Sequence, residues 1–223
     1  MLSPIHRDVE ELPANHPCSG CPVREIAICG ALDSASLRDF RKLGCCIELR
    51  PGEELVRQGE AAFSVFTVTS GMLKSCEILP DGRRQVTGFF SPGDFIGAGP
   101  DDQFETSVEA VEETRLCAFP LRRFEDFVGD HRPLERELYI ASERMLADAR
   151  RHMVLLGRKN AIERIASFFL ALSGRRDEAD LIRLPMGRSD IADYLGLTKE
   201  TVSRVLAQLK SRRFIRLLAI DRI

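Results

Sequence analysis

Arg188-Ser189-Asp190-Ile191-Ala192-Asp193-Tyr194-Leu195-Gly196-Leu197-Thr198-Lys199-Glu200-Thr201-Val202-Ser203-Arg204-Val205-Leu206 reads as two short helices joined by a tight turn. The first helix would bury Ile191, Leu195 and Ala192, the last small enough to let a second helix approach. Gly196 falls where the turn needs a positive φ, which glycine adopts without steric cost. Thr198 is placed to cap the second helix, whose inner face is Val202, Val205, Leu206 and Leu209. Lys199, Glu200, Ser203 and Arg204 are left on its outer N-terminal face. An arginine there can bind guanine bidentately, a glutamate can accept from cytosine, and a serine adapts to either. The pattern predicts a helix-turn-helix that reads double-stranded DNA. A plain helical hairpin with a solvated charged face is the competing reading.

The flanks agree with a DNA partner. Arg188 and Ser189 open the first helix, and Lys210, Arg212, Arg213 and Arg216 follow the second, where they suit phosphates. From Met186 to Ile223 there are eight Lys/Arg and four Asp/Glu, whereas the whole chain of 223 residues carries a net charge of −2. A basic end on an acidic body fits an anionic ligand at that end. Phe214 to Ile223 reads as β-like wing material, and Leu181-Ile182-Arg183-Leu184 as a short strand. Ala161 to Leu172 is amphipathic at helical spacing, with Ser173-Gly174 as its stop.

Upstream, Arg132 to Gly157 has no glycine or proline between Pro133 and Gly157. Leu134, Leu138, Ala141, Met145, Ala149 and Met153 recur at three-to-four spacing, predicting one helix of about 25 residues, roughly 38 Å long. A stripe that long needs a cover, and a second copy of the chain supplies one. Residues 44–130 alternate β-rich runs with turn signals such as Pro51-Gly52, Pro80-Asp81-Gly82 and Pro92-Gly93-Asp94, predicting an antiparallel barrel or sandwich. Asp33 to Leu43 reads as a short helix capped by Asp33, and residues 1–17 as a polar, mobile arm. The class is α+β. The expected division is 1–30, 31–130, 131–158 and 159–223.

With 44% hydrophobic and 30% charged residues the composition is that of a globular protein. No apolar run reaches membrane-spanning length and the N-terminus has no signal-peptide core, so a cytoplasmic location with no membrane partner is expected. The seven cysteines are odd in number and unevenly spaced, which argues against a disulfide framework. Cys18-Ser19-Gly20-Cys21, then seven residues, then Cys29 forms a compact trio. Such spacing serves structural zinc, with His16 as a possible fourth ligand, or an iron–sulfur cluster. Cys45, Cys46 and Cys76 read as strand thiols or spares. No catalytic Cys–His pair, serine triad, phosphate loop or dinucleotide fingerprint is present, so an enzyme is not expected.

The helix-turn-helix resembles that of the CRP/FNR family, with Glu200, Ser203 and Arg204 matching the Glu-x-x-Ser-Arg pattern of its FNR and FixK branches. The resemblance extends to the segments Pro51-Gly52-Glu53, Ser70-Gly71-Met72-Leu73-Lys74-Ser75 and Pro92-Gly93-Asp94-Phe95-Ile96-Gly97. It implies a cyclic-nucleotide-binding-like β-roll, a long dimerisation helix and a winged helix-turn-helix. It further implies a palindromic target like TTGAT-N4-ATCAA, control of low-oxygen gene expression, and an RNA polymerase contact at Thr87, Gly88 and Phe89. The cysteine trio resembles that of FnrN-like oxygen sensors, and Cys117 falls at the family's fourth ligand position. That implies a 4Fe–4S cluster on Cys18, Cys21, Cys29 and Cys117, four thiolates for four irons. The dimer seam would involve Leu134, Leu138, Ala141, Met145, Asp148, Arg151 and His152. Cyclic AMP is not expected, because Gly97 to Glu105 is acidic and lacks the phosphate-pairing arginine. Haem on His16, His131 or His152, zinc, or directly oxidised thiols are the alternative sensors.

Overall fold

The computed structural model describes residue 12, residues 15–173 and residues 182–216. Most of the expected N-terminal arm, Leu181, and the wing from residue 217 lie outside them. The described chain begins with a turn-rich loop that ends in a 3-10 helix, Ile28–Ala31. Helix α1 (Ser34–Leu43) starts at Asp33, whose carboxylate accepts from the Ser36 amide at 2.8 Å. This is the expected cap, satisfying an amide that has no partner within the helix.

Eight antiparallel strands follow, in two four-stranded sheets. They are β1 (Cys45–Leu49), β2 (Glu54–Val56), β3 (Ser64–Ser70), β4 (Leu73–Ile78), β5 (Arg84–Phe90), β6 (Phe95–Ile96), β7 (Ser107–Ala110) and β8 (Thr114–Pro120). One sheet runs β1-β8-β3-β6 and the other β2-β7-β4-β5. Their inner faces meet around Val65, Val68, Leu73 and Leu116, all at or near zero exposure. The strand-and-turn reading of 44–130 stops short of its end. Residues Leu121–Asp130 form helix α2, because Leu121 and Phe124 sit one turn apart and both are buried.

Helix α3 spans Arg132–Arg158, with a proline in its first turn, and is about 40 Å long at 1.5 Å per residue. Its N-terminal end packs into the β-domain core through Leu134, which is 0% exposed. Its C-terminal end packs through Leu155 into a second core. Helix α4 (Ala161–Ser173) buries Ile165, Phe168 and Phe169 in that second core. In place of the expected strand at 181–184, the described part shows a single bridging residue at Arg183. Helices α5 (Arg188–Leu195) and α6 (Lys199–Ser211) complete the described fold.

The second core is shared between the β-roll and the C-terminal helices. Met72 is buried in it, and Phe89 lies against Phe168 and Tyr194 with ring centroids 6.1 and 5.3 Å apart. A charged clasp reinforces the contact. Lys74, 5% exposed, donates to Asp190 at 2.8 Å and pairs with Glu109 at 3.1 Å. Arg84 donates to Asp190 at 3.0 Å and Asp193 at 2.9 Å, and the Gln85 amide reaches the Asp193 carbonyl at 2.5 Å. The Lys74 ammonium is buried, so both carboxylates are needed to offset its lost hydration.

Candidate functional site

The recognition hairpin has the geometry that its residues predict. Gly196 ends α5 in the left-handed region, with φ 59 and ψ 43. The Thr198 hydroxyl accepts from the Thr201 amide at 3.2 Å and starts α6. Val202, Val205, Leu206 and Leu209 are buried beneath, against Ile191, Ala192 and Leu195. The hairpin has a further brace that the sequence reading missed. Arg164 of α4 donates to the Leu195 and Gly196 carbonyls at 2.8 and 3.2 Å, and to Leu156 and Lys159 at 2.8 and 2.9 Å. One guanidinium thereby fills carbonyls left open at the ends of α3 and α5. Nothing in local periodicity marks Arg164, because its acceptors lie on other helices.

On the outer side Lys199, Glu200, Ser203 and Arg204 are exposed, and so are Ser189, Lys210 and Arg212; Arg188 is half-buried. Among the described residues Lys199, Glu200, Ser203 and Arg204 make no ion pair or side-chain hydrogen bond that would hold them back from a ligand. Their donors and acceptors therefore stand at the N-terminal end of a rigid helix, the part that enters a major groove. Arg213 takes a positive φ of 61 at the start of the wing segment, where a glycine would be at ease. Phe214, Ile215 and Arg216 form no strand among the described residues.

At the other end of the chain, Cys18, Cys21, Cys29 and Cys117 line one narrow, almost wholly apolar cavity. Leu37, Phe40 and Arg41 of α1, Thr67 of β3 and Arg24 of the loop share its walls. The other three cysteines stand outside: Cys76 is buried in β4, and Cys45 and Cys46 are exposed on β1. The loop closes on itself by turns, with Ala27 donating to the Val23 carbonyl at 2.8 Å and Gly30 to Ala27 at 2.9 Å. Gly30 is required there, since a side chain would meet the Arg24 carbonyl at 2.4 Å. The 3-10 helix carrying Cys29 packs directly on α3.

Burial pushes the Cys117 thiol up to about 12, aided by the nearby Cys46, and the Cys29 thiol up to about 11, aided by Cys21 and Cys18. Burial also raises Cys18, against the pull of Arg41. Without a metal these thiols keep their protons at neutral pH, and a metal that takes thiolates must displace them. Among the described residues no three of His, Cys, Asp or Glu stand close enough to hold a single ion. His16 turns its Nδ1 to the Cys18 amide at 3.2 Å and is not part of the cavity wall. His131 bonds the Phe127 carbonyl at 2.8 Å, and His152 the Tyr194 carbonyl at 2.7 Å while stacking on that ring.

The residues expected at the dimer seam divide. Leu134 is buried in its own chain's core, and Leu138 and Ala141 pack partly against it, so this end of the stripe is already covered. His152 faces Tyr194 instead of outward. Met145 is 53% exposed and the Arg151 guanidinium pairs with Asp148 on the surface. The bare apolar residues of α3 are Tyr139, Met145, Leu146, Met153 and Val154. Tyr139, Leu146 and Met153 repeat every seven residues, the period of a coiled-coil seam. Of the expected polymerase residues, Thr87 bonds Ser75 at 2.9 Å, and Phe89 is half-buried, with its ring against Tyr194.

The stretch from Gly99 to Glu105 lines an open recess of about 290 Å³ with Gln58 and Gly59, and its charged walls are Asp101 and Glu105. No helix among the described residues is long and apolar enough to cross a membrane.

Comparison with known proteins agrees with this architecture. Residues 46–131 match the cyclic nucleotide-binding domain family, and residues 163–223 match the Crp-like helix-turn-helix domain family. The chain is 40% identical to the nitrogen fixation regulation protein FixK of Bradyrhizobium diazoefficiens over 89% of this chain and 85% of that one. It is 37% identical to the transcriptional activator protein anr of Pseudomonas aeruginosa, over 93% and 87%. The solved structure of FixK2 from Bradyrhizobium japonicum superposes with a TM-score of 0.76 at 36% identity, covering 80% of this chain and 90% of that one. These relatives are regulators of transcription and not enzymes, and the chain accordingly belongs to the CRP/FNR family of DNA-binding transcription regulators.

Proposed function

We propose that the protein is an oxygen-responsive activator of the FNR/FixK type, which pairs through α3 and binds a TTGAT-N4-ATCAA-like palindrome to control low-oxygen gene expression. One observation carries the sensing half of this reading. Of the seven cysteines, Cys18, Cys21, Cys29 and Cys117 line a common cavity, and the helix bearing Cys29 rests on α3. A 4Fe–4S cluster takes one thiolate per iron at the corners of a cube, so its ligands stand wider apart than the roughly 3.8 Å between thiolates on a tetrahedral zinc with 2.3 Å bonds. Four cysteines are the number that such a cluster takes, and these four share one cavity wall. Arg24 and Arg41 bring positive charge to a wall that four thiolates would make negative.

When bound, the cluster would supply iron that oxygen attacks. The rest follows from the chain. Cys18, Cys21 and Cys29 would hold the loop to Cys117 on β8, and the loop in turn braces α3. With the loop fastened, Tyr139, Leu146 and Met153 meet their copies. Each recognition helix then covers one half-site, with Arg204, Glu200 and Ser203 on base edges and Lys210 and Arg212 on phosphates. Release of the loop weakens pairing, and a single chain keeps half the contacts. The acidic recess at Gly99 to Glu105 repels a cyclic phosphate, so cyclic nucleotide is not the effector. RNA polymerase remains the expected partner of the bound dimer in the cytoplasm, at Thr87, Gly88 and neighbouring surface.

Anaerobic purification tests the reading. A brown protein with about four iron and four sulfide per chain, bleaching and losing the palindrome in air, is expected. A colourless zinc protein, or one with a haem spectrum, that binds the palindrome equally in air and under argon would overturn it.

A further inference from the structure

The β1–β8 ladder places a fifth thiol beside the cavity. Cys46 lies directly opposite Cys117, within five consecutive register pairs that show no bulge. Directly opposed residues of antiparallel strands point to the same face with Cβ atoms about 4.5–5.5 Å apart. A disulfide needs Cα atoms about 4.4–6.8 Å and Cβ atoms about 3.5–4.5 Å apart; such a pair meets the first and must close by up to about 1 Å on the second. The neighbouring cysteines lack this relation: Cys45 faces Ala118, and Cys76 lies in the other sheet, opposite Val86 and Ser107. Arg41 holds the Cys46 sulfur by a hydrogen bond at 3.3 Å and anchors on the Gly44 carbonyl at 2.7 Å, while forming part of the cavity wall. Cys46 is exposed to solvent, whereas Cys117 is half-buried.

We propose that Cys46 and Cys117 form a modification site, closing a cross-strand disulfide when peroxide meets the iron-free protein. The exposed Cys46 sulfur attacks one peroxide oxygen. The O–O bond breaks, water leaves, and Cys46 becomes a sulfenic acid. The Cys117 sulfur then displaces the hydroxyl, the S–S bond forms and a second water leaves. Two thiols lose two electrons and two protons, which reduce one peroxide to two waters. The product withdraws Cys117 as a ligand, so a thiol reductant must act before iron can return. The proposal rests on the reading above only in naming Cys117 a ligand; the linkage itself does not require iron.

The full-length protein, purified anaerobically, is stripped of any metal with a chelator, exposed to hydrogen peroxide, alkylated and digested. Mass spectrometry is expected to show loss of the separate Cys46 and Cys117 peptides and gain of one linked peptide lighter by two hydrogens. Cys46→Ser and Cys117→Ala should each lose that peptide, and Cys45→Ser should keep it. A dominant Cys18–Cys21 linkage, or Cys46 oxidised to its acids with Cys117 still alkylated, would overturn the proposal. Because this assay is read on metal-free protein, its failure is separate from failure to find iron in the purified sample. In a second arm the peroxide-treated protein is given iron and sulfide with and without dithiothreitol. Return of colour only with dithiothreitol is expected, and equal return in both overturns the regulatory consequence.

Discussion

The recognition hairpin takes its shape from nineteen consecutive residues, whereas the thiol cavity joins Cys18 to Cys117, ninety-nine positions away. In the hairpin, turn, cap and buried face follow one another from Gly196 to Leu209, so the local chain nearly determines the geometry. The cavity exists because the loop folds back under Gly30, α1 lays Phe40 and Arg41 across it, and β8 presents Cys117 in register with β1 and β3. One region is held by neighbours close in sequence and the other by partners far apart in it, the arrangement that the proposed reading head and the proposed sensor would respectively call for.

Breaking the long-range region should have the larger effect. Cys117→Ala is expected to abolish iron–sulfide retention in anaerobic protein, and Cys76→Ala to leave it intact, as measured by metal analysis. A normal cluster in the Cys117→Ala protein would remove β8 from the site. In the hairpin, Arg204→Ala should cost about 1–3 kcal/mol per half-site, concentrated at one G·C pair. Equal weakening on every sequence, in a competition assay, would make Arg204 a phosphate contact. Gly196→Ala should destabilise the fold by about 1–2 kcal/mol through its left-handed φ, read from a urea midpoint. An unchanged midpoint would show that the turn is less constrained than its geometry indicates.

The smallest effect concerns the clasp. Burial alone would lower the Lys74 value, but hydrogen bonds and charge from Asp190 and Glu109 outweigh it and hold Lys74 above the usual lysine range. A base raised on folding contributes stability that is fully present below its unfolded value and lost as pH climbs through the folded one. The loss should therefore begin above about pH 10.4. Lys74→Met should flatten that part of the stability curve, and an identical alkaline decline in both proteins would assign it elsewhere.

What could be read from the residues follows the same division. Thr198, Gly196 and the Val202–Leu209 face were legible because each signal and its partner sit a few residues apart. The extent of α3 was legible too, from an unbroken helical run. What covers α3 was not. Leu134 and Tyr139 are both apolar at helical spacing, and only the tertiary fold decides that the first is buried and the second bare. That Tyr194 and Phe168 arrive against Phe89 is not legible locally either; the resemblance had implied only a polymerase contact there. Helix α2 was hidden in a stretch whose turn residues elsewhere mark strands. Cys46 read as a strand thiol or a spare; it does lie on β1, and that it faces Cys117 needs the strand register, which a single sequence does not contain.

Asp190 serves two elements at once. Its Oδ2 closes the first turn of α5 by accepting from the Gly187 amide at 3.3 Å, while its Oδ1 takes Lys74 and Arg84. Detaching the hairpin from the β-roll would strand two cations and loosen the very helix being moved. The hairpin is thus tied to the β-roll as one jaw of a calliper is tied to its beam: in the proposed pair, the reading helix would be re-aimed only by carrying its own β-roll along.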